Sequence, residues 1–488
     1  MDALRRTPVS PQGLLVAGAR QEGESAPLDV ISPIDGTRLT TIADATPAEV
    51  DRAVAAARAA FEDRRWAGQP PGSRKKVMLK WAELIEREAL ALTVLGVRDN
   101  GTEFAMAFKA EAGSAAGTIR YYAEALDKVY GEIAPTAETH LGMILREPVG
   151  VVGAIVPWNF PLMIGAWKLG PAIAAGNSVV LKPAETASLT LIRIAELALE
   201  AGLPEGVLNV VTGRGAVAGE ALALSMDVDV LVFTGSGPVG RRLLEYSAQS
   251  NLKRVYLELG GKSPSIVFDD VKDIAQAAKV TANGMFRNSG QVCVACSRLV
   301  VQRGIHDEFV AELAKAAGSL KVGDPLDMAT QVGAINSERQ LLQSLGFVEK
   351  ATQEGGSIHT GGRRILQETG GYYMEPTIVT DVDIGDTLAQ KEVFGPVLAV
   401  SAFDTEEEAI AMANGTEYGL SSGVWTSDLS RAHRMIRSVR AGVVHVNTYG
   451  GSDMTVPLGG VKQSGNGHDK SLHAFDKYVD LKTAWIQL

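Results

Sequence analysis

Arg254-Val-Tyr-Leu-Glu-Leu-Gly-Gly-Lys-Ser263 and Asn288-Ser-Gly-Gln-Val-Cys-Val-Ala-Cys-Ser-Arg298 frame the segment around which this chain is organised. The first run opens as an apolar strand and breaks at paired glycines. A further strand and an Ala-rich, amphipathic stretch separate it from the second. A carboxylate, Glu258, stands at the head of the segment and a thiol, Cys293, at its tail, each in a short Gly-bounded loop. Such loops carry function on a rigid scaffold. An attacking sulfur and a group able to take a proton from water are the pair that covalent catalysis needs.

Working outward toward the N-terminus, apolar runs of strand length recur at 151–156, 178–181, 208–211, 230–233 and 255–259. The stretches between them have helical spacing and begin at Pro161, near Ser188, near Ala216 and at Pro238. Continuous apolar runs joined by helices predict buried parallel strands with right-handed crossovers, hence a doubly wound α/β domain. Beyond Gly260 the rhythm resumes with strands predicted at 265–268, 299–301, 377–379, 397–403 and 443–447, a second α/β unit. Thr46-Pro-Ala-Glu49 and Thr405-Glu-Glu-Glu408 read as helix N-termini. Further helices are predicted after the Pro70–Gly72 break and over Glu111–Leu126. The first thirty residues lack periodicity and are expected to form an arm. At the other end Val479, Leu481, Thr483 and Trp485 alternate with Asp480, Lys482 and Ala484. That is a strand whose apolar face needs cover, which a second copy of the chain would supply.

At 488 residues the chain exceeds one core, so two or more domains are expected. A net charge of −10 gives no reason to expect nucleic acid. No apolar run is long enough for a membrane span, and Leu14–Ala19 is too short for a signal-peptide core, which makes the cytoplasm the expected compartment. Two cysteines, Cys293 and Cys296, exclude a disulfide framework and a four-cysteine zinc site, and no metal is expected.

The Glu-Leu-Gly-Gly-Lys and Gly-Gln-x-Cys motifs resemble those of the aldehyde dehydrogenase superfamily, over about Val30 to Leu488. Lys462-Gln-Ser-Gly-Asn-Gly-His-Asp-Lys-Ser-Leu-His473 resembles the branch that oxidises amino-aldehydes such as γ-glutamyl-γ-aminobutyraldehyde. The resemblance implies an NAD-binding domain over 1–128 and 149–257 and a catalytic domain over 258–463. An oligomerisation hairpin with the C-terminal strand, 129–148 and 464–488, would form dimers or tetramers.

It also implies roles. Cys293 is the nucleophile, and Asn159, in Val156-Pro-Trp-Asn-Phe-Pro161, donates to the oxyanion. Lys168 lies near the active site, although by itself it reads as a solvated helix charge. Glu258 admits two readings. Gly235-Ser-Gly-Pro-Val-Gly240 is a literal dinucleotide fingerprint, which would put Glu258 on the adenosine ribose. The resemblance makes it the base that activates water, and the glycines that follow it favour this reading. Gly237-Pro238 departs from the family's usual Thr-Glu.

Cofactor contacts are implied for Ile155, Pro157, Trp158, Phe233, Gly235, Ser236, Val239 and Leu259. Lys182 and Glu185 would hold the adenosine ribose, and Glu392 and Phe394 the nicotinamide end. A carboxylate at the 2′ position favours NAD over NADP, with NADP possible. Phe160, Trp167, Ser452, Asp453 and Leu458 would line the substrate path. Glu111 and Asp453 fall at its mouth, and each also reads as a solvated surface acid. His468 stands where the family has Arg. Cys296 is either a small residue packed behind the loop or a resolving thiol. Two alternatives remain: an acyl transfer to CoA, against which Glu258 argues, and a non-enzymatic Cys-x-x-Cys redox protein.

Overall fold

The computed structural model describes residues 2–451 and 453–488. Its first sheet has seven strands in the spatial order Arg254–Glu258, Val230–Thr234, Val151–Ile155, Ser178–Lys182, Leu208–Val210, Leu14–Val16, Ala19–Gln21. The first five are parallel and wound in both directions from Val151–Ile155. Their apolar runs are unbroken because both faces are buried. Val152, Ala154, Leu181 and Val232 pack on one side with Trp81, Ile119 and Leu169. Val151, Val180, Leu231 and Val255 pack on the other with Val50, Val54 and Leu243. Each such side chain contributes about 1.5–3 kcal/mol of burial. The Pro47–Glu62 helix that covers the second face starts with the expected capping box, Thr46 and Glu49.

The first thirty residues are not an arm. Leu14–Val16 pairs antiparallel with Leu208–Val210 and with Ala19–Gln21, and Leu14, Leu15 and Val16 are buried. Three-residue strands have no period to read; pairing alone holds them. The helix Ala89–Asn100 also had no predicted counterpart, and the predicted 111–126 helix begins later, at Gly113, after a π-helical turn over Phe108–Ala112.

The second sheet orders Ser357–Thr360, Thr377–Thr380, Val397–Phe403, Arg298–Gln302, Pro264–Val267, Ser421–Trp425 and Val443–Val446. All but the first run parallel. The third is antiparallel: Glu132–Ala134, His140–Pro148 and the terminal Val479–Gln487. Val479–Gln487 is its outer strand, with Leu481 and Trp485 exposed. Between the first and third sheets the chain touches the first again. Ser464 O accepts from Leu259 N–H, and Asn466 Oδ1 from Leu257 N–H at 2.8 Å. No helix among the described residues is long and apolar enough to cross a membrane.

Candidate active site

In a doubly wound sheet, ligands sit outside the carboxyl ends of the strands where the winding reverses. Here that point lies between Val151–Ile155 and Val230–Thr234. Pro157, Trp158, Gly235, Ser236 and Val239 follow those ends directly, with Ser236 and Val239 exposed; Ile155 and Phe233 are buried beneath them. The Gly237–Gln249 helix starts there without any side-chain cap, leaving first-turn N–H groups for an anion. One strand over, buried Lys182 donates to Pro183 O at 3.0 Å and to Glu185 at 3.4 Å. Burial pulls the Lys182 amine down from its ordinary value, against the pull of Glu185. A strand-end crevice, an uncapped helix and a Lys–carboxylate pair suit the diphosphate and ribose of a dinucleotide.

At the far end of this crevice Glu392 Oε1 accepts from Gly261 N–H at 3.0 Å. Its carboxyl occupies the space a Cβ on Gly260 would need. Burial pushes Glu392 up to about 7. Phe394 is held at φ 56° with its ring edge-on to Trp158, centroids 5.3 Å apart. Leu259 is buried beside them.

The loop bearing Cys293 is held from several sides. Asn288, Ser289 and Gly290 are consecutively left-handed, at φ 48°, 53° and 71°. Such a run costs on the order of 1–3 kcal/mol at each non-Gly position and persists only where the surroundings enforce it. They do. Glu103 accepts from Asn288 N–H at 3.1 Å, and Asn288 Oδ1 accepts from Thr102 at 2.8 Å. Ser289 donates to Gly333 O at 2.8 Å, and Gln291 Oε1 accepts from Asn336 N–H at 2.9 Å. Asn159 Nδ2 donates to Gln291 O at 2.9 Å, which pins the amide and leaves its second N–H available. Gly261 lies so close that a Cβ there would stand 2.7 Å from Cys293 O. The two loops framing the organising segment therefore meet.

Burial pushes the Cys293 thiol up to about 12, and the carboxyls of Glu392 and Glu258 add to the rise. Glu258 ends its strand buried, and its Oε1 has no partner among the described residues. Burial raises it well above the ordinary carboxylate range. The charge of Asp469 raises it further, while Lys168 and Lys477 draw it back.

Those three groups form a buried cluster. Lys168 and Lys477 each meet one oxygen of Asp469 at 2.5 Å. Burial opposes the charge on Asp469, yet its two lysines hold it below the usual range. Lys168 is thus no solvated helix charge; it is fully enclosed. Sequence reasoning missed Asp469 and Lys477: Lys168, the partner of Asp469, lies on a helix roughly three hundred residues earlier, and no periodic pattern marks Lys477 as the second partner of Asp469.

The remaining positions divide. Phe160 and Trp167 are buried, the Trp167 Nε1 without a partner among the described residues. Leu458 is half-buried and pairs with Asp469 across a two-residue bridge. Asp453 is exposed and accepts from Thr455 N–H at 2.9 Å; its bonds to Thr455 hold the carboxyl below its ordinary value. Ser452 lies outside the described residues. Glu111 is corrected on both counts: it is neither at a tunnel mouth nor solvated, but buried against the backbone of the Pro161–Ala175 helix. Cys296 is wholly buried with its sulfur 3.3 Å from Thr281 O, so it packs behind the loop.

Comparison with known proteins agrees with this geometry. The aldehyde dehydrogenase family model matches residues 20–484. The NADP/NAD-dependent aldehyde dehydrogenase PuuC of Escherichia coli K12 is 49% identical over 465 residues, covering 95% of this chain and 93% of its own. An NAD⁺ complex of indole-3-acetaldehyde dehydrogenase superposes with a TM-score of 0.98 at 48% identity, covering 100% of this chain and 98% of that one. The γ-glutamyl-γ-aminobutyraldehyde dehydrogenase of Burkholderia cenocepacia J2315 has a TM-score of 0.96 at 49% identity, covering 98% and 97%.

Proposed function

We propose a specific chemistry for a chain that belongs to the aldehyde dehydrogenase family and oxidises aldehydes with NAD or NADP. The observation that carries the proposal is the convergence of Cys293, Asn159 and Glu258, from three separate segments, at the end of the strand crevice.

The crevice residues Trp158, Gly235, Ser236, Val239, Glu392 and Phe394 would hold the dinucleotide, with Lys182 and Glu185 on its ribose. The bound cofactor supplies a hydride acceptor. The Cys293 thiol gives its proton to solvent water, and its sulfur bonds to the aldehyde carbon as the C=O π pair moves to oxygen. The free N–H of Asn159 and the Cys293 backbone N–H stabilise the oxyanion. A donor of this kind is worth about 3 kcal/mol in the transition state. The carbonyl re-forms as hydride departs, leaving a thioester. Glu258 takes a proton from water as its oxygen attacks, the C–S bond breaks, and the acid leaves. A base shifted upward by burial is stronger once ionised, which suits an attack by water. Lys168 and Lys477, held by Asp469, offset part of the burial cost of that ionised carboxylate.

The substrate class we favour is an ω-amino or γ-glutamylamino aldehyde. Support comes from exposed, ionised Asp453 and from the likeness to the Burkholderia enzyme. The likeness to indole-3-acetaldehyde dehydrogenase favours a neutral aryl aldehyde instead. A panel of ω-amino, γ-glutamylamino, guanidino, aliphatic and indolic aldehydes, read by NADH formation, separates them; highest kcat/KM on the indolic member would overturn the amino-aldehyde reading. Glu185 disfavours a 2′-phosphate, so NAD should be preferred over NADP. The unpaired outer edge of Val479–Gln487 and its exposed apolar residues support a homodimer or tetramer assembled through this strand.

A further inference from the structure

Helix starts leave backbone N–H groups that need partners. The Pro161–Ala175 helix begins with Pro161, which has none to offer, and Phe160 at its N-cap position accepts nothing with its side chain. Ile164 N–H is taken by Phe160 O at 3.0 Å. That leaves Leu162 and Met163. Glu111 serves this turn: Oε2 accepts from Met163 N–H at 2.7 Å, and the neighbouring Leu162 N–H also draws the carboxyl down against the effect of burial.

Glu111 reaches this place from another helix. It lies in the π-helical turn Phe108–Ala112, between Phe104–Ala107 and Gly113–Ala125. Single π turns are frequent at functional sites. The extra residue of such a turn changes which side chains face the neighbouring helix, and here a carboxyl is buried against the start of the Pro161–Ala175 helix. Burial pushes it up to about 8, and its bond to the helix backbone uses it as a hydrogen-bond acceptor.

Asn159 lies two residues before Pro161. From the cysteine side it is held by its own amide on Gln291 O and by Asn288 Nδ2, which donates to Asn159 O at 3.2 Å. From the helix side the only polar anchor of the first turn among the described residues is Glu111. We infer that Glu111 is a positioning residue that sets Asn159 against Cys293 by capping the Pro161–Ala175 helix from outside it. This inference rests on the role proposed above for Asn159.

Two conservative variants test it. Glu111→Asp withdraws the acceptor by one methylene and leaves the Met163 N–H without it. Glu111→Gln keeps an oxygen at the same reach. With saturating NAD and aldehyde, Glu111→Asp should slow first-turnover NADH formation by about 10-fold to 100-fold, the size expected of a small misplacement. NAD affinity should be unchanged, and Glu111→Gln should stay within about threefold of the parent. In an Asn159→Ala background Glu111→Asp should cost nothing further, because the positioned group is gone. Three results would overturn the inference: a full-speed Glu111→Asp enzyme, a Glu111→Gln enzyme as slow as Glu111→Asp, or an undiminished Glu111→Asp loss in the Asn159→Ala background. A full-speed Asn159→Ala enzyme would instead remove the oxyanion reading itself, and this inference with it.

Discussion

The loop around Cys293 and the segment around Asp453 are built in opposite ways. The first is bonded to Glu103, Thr102, Gly333, Asn336 and Asn159, and keeps three consecutive left-handed residues in place. The second is exposed, and Asp453 is anchored mainly to its neighbour Thr455. Bond breaking needs atoms held to fractions of an ångström, whereas reading a charge at the mouth needs only a carboxylate within reach of it. On the roles proposed above, strain and hydrogen bonds serve the first task and an adaptable surface the second.

Substitutions can break that contrast. Cys293→Ala should abolish turnover while NAD titrates normally by fluorescence; NAD-dependent turnover in that variant would remove the rigid loop's assigned task. Glu258→Gln should keep a first-turnover burst of NADH but lower the steady-state rate by about 10²–10⁴-fold. Weaker NAD affinity with normal turnover at saturation would return Glu258 to the ribose.

Asp469→Asn leaves two buried lysines without their counter-charge. It should cost about 3–5 kcal/mol in urea unfolding, and pairing it with Lys477→Met should recover part of the loss. No recovery would mean that Lys477 finds another partner.

Because the Cys293 thiol is raised to about 12, its thiolate fraction in the cofactor-free enzyme should grow about tenfold per pH unit. Iodoacetamide labelling followed from pH 7 to 9 should show that slope; a rate flat across this range would mean the thiolate is already formed. The smallest effect belongs to the mouth. Asp453→Asn should lower kcat/KM for cationic ω-amino aldehydes a few-fold and spare neutral ones of equal length, since an exposed charge is screened. Equal losses would make Asp453 a loop support.

What could be read from the chain beforehand follows the same division. The five parallel strands were legible because both faces of the sheet are buried, and the helix starts at Thr46 and Thr405 because a capping box is local. Leu14–Val16 was not, since a three-residue strand exists only by pairing with Leu208–Val210 and Ala19–Gln21. Around the site, the loops of Glu258, Asn159 and Cys293 announce themselves by glycine, proline and composition. Glu111 and Asp469 do not. An acid in an Ala-rich helix, like Glu111, or in a short polar run, like Asp469, looks like a surface residue until the helix it caps or the lysine it pairs with arrives from elsewhere in the chain.

Gly260 and Glu392 lie far apart in the sequence, yet the carboxyl of one fills the space that any side chain on the other would need. For heredity they are a single unit. While Glu392 remains, no alanine can be tried at 260 without displacing it, and once Glu392 is lost the pressure that keeps 260 bare is relaxed. A lineage giving up this carboxylate would therefore be freer to change the glycine afterwards, whereas changing the glycine first would push the carboxyl out of its place beside Gly261.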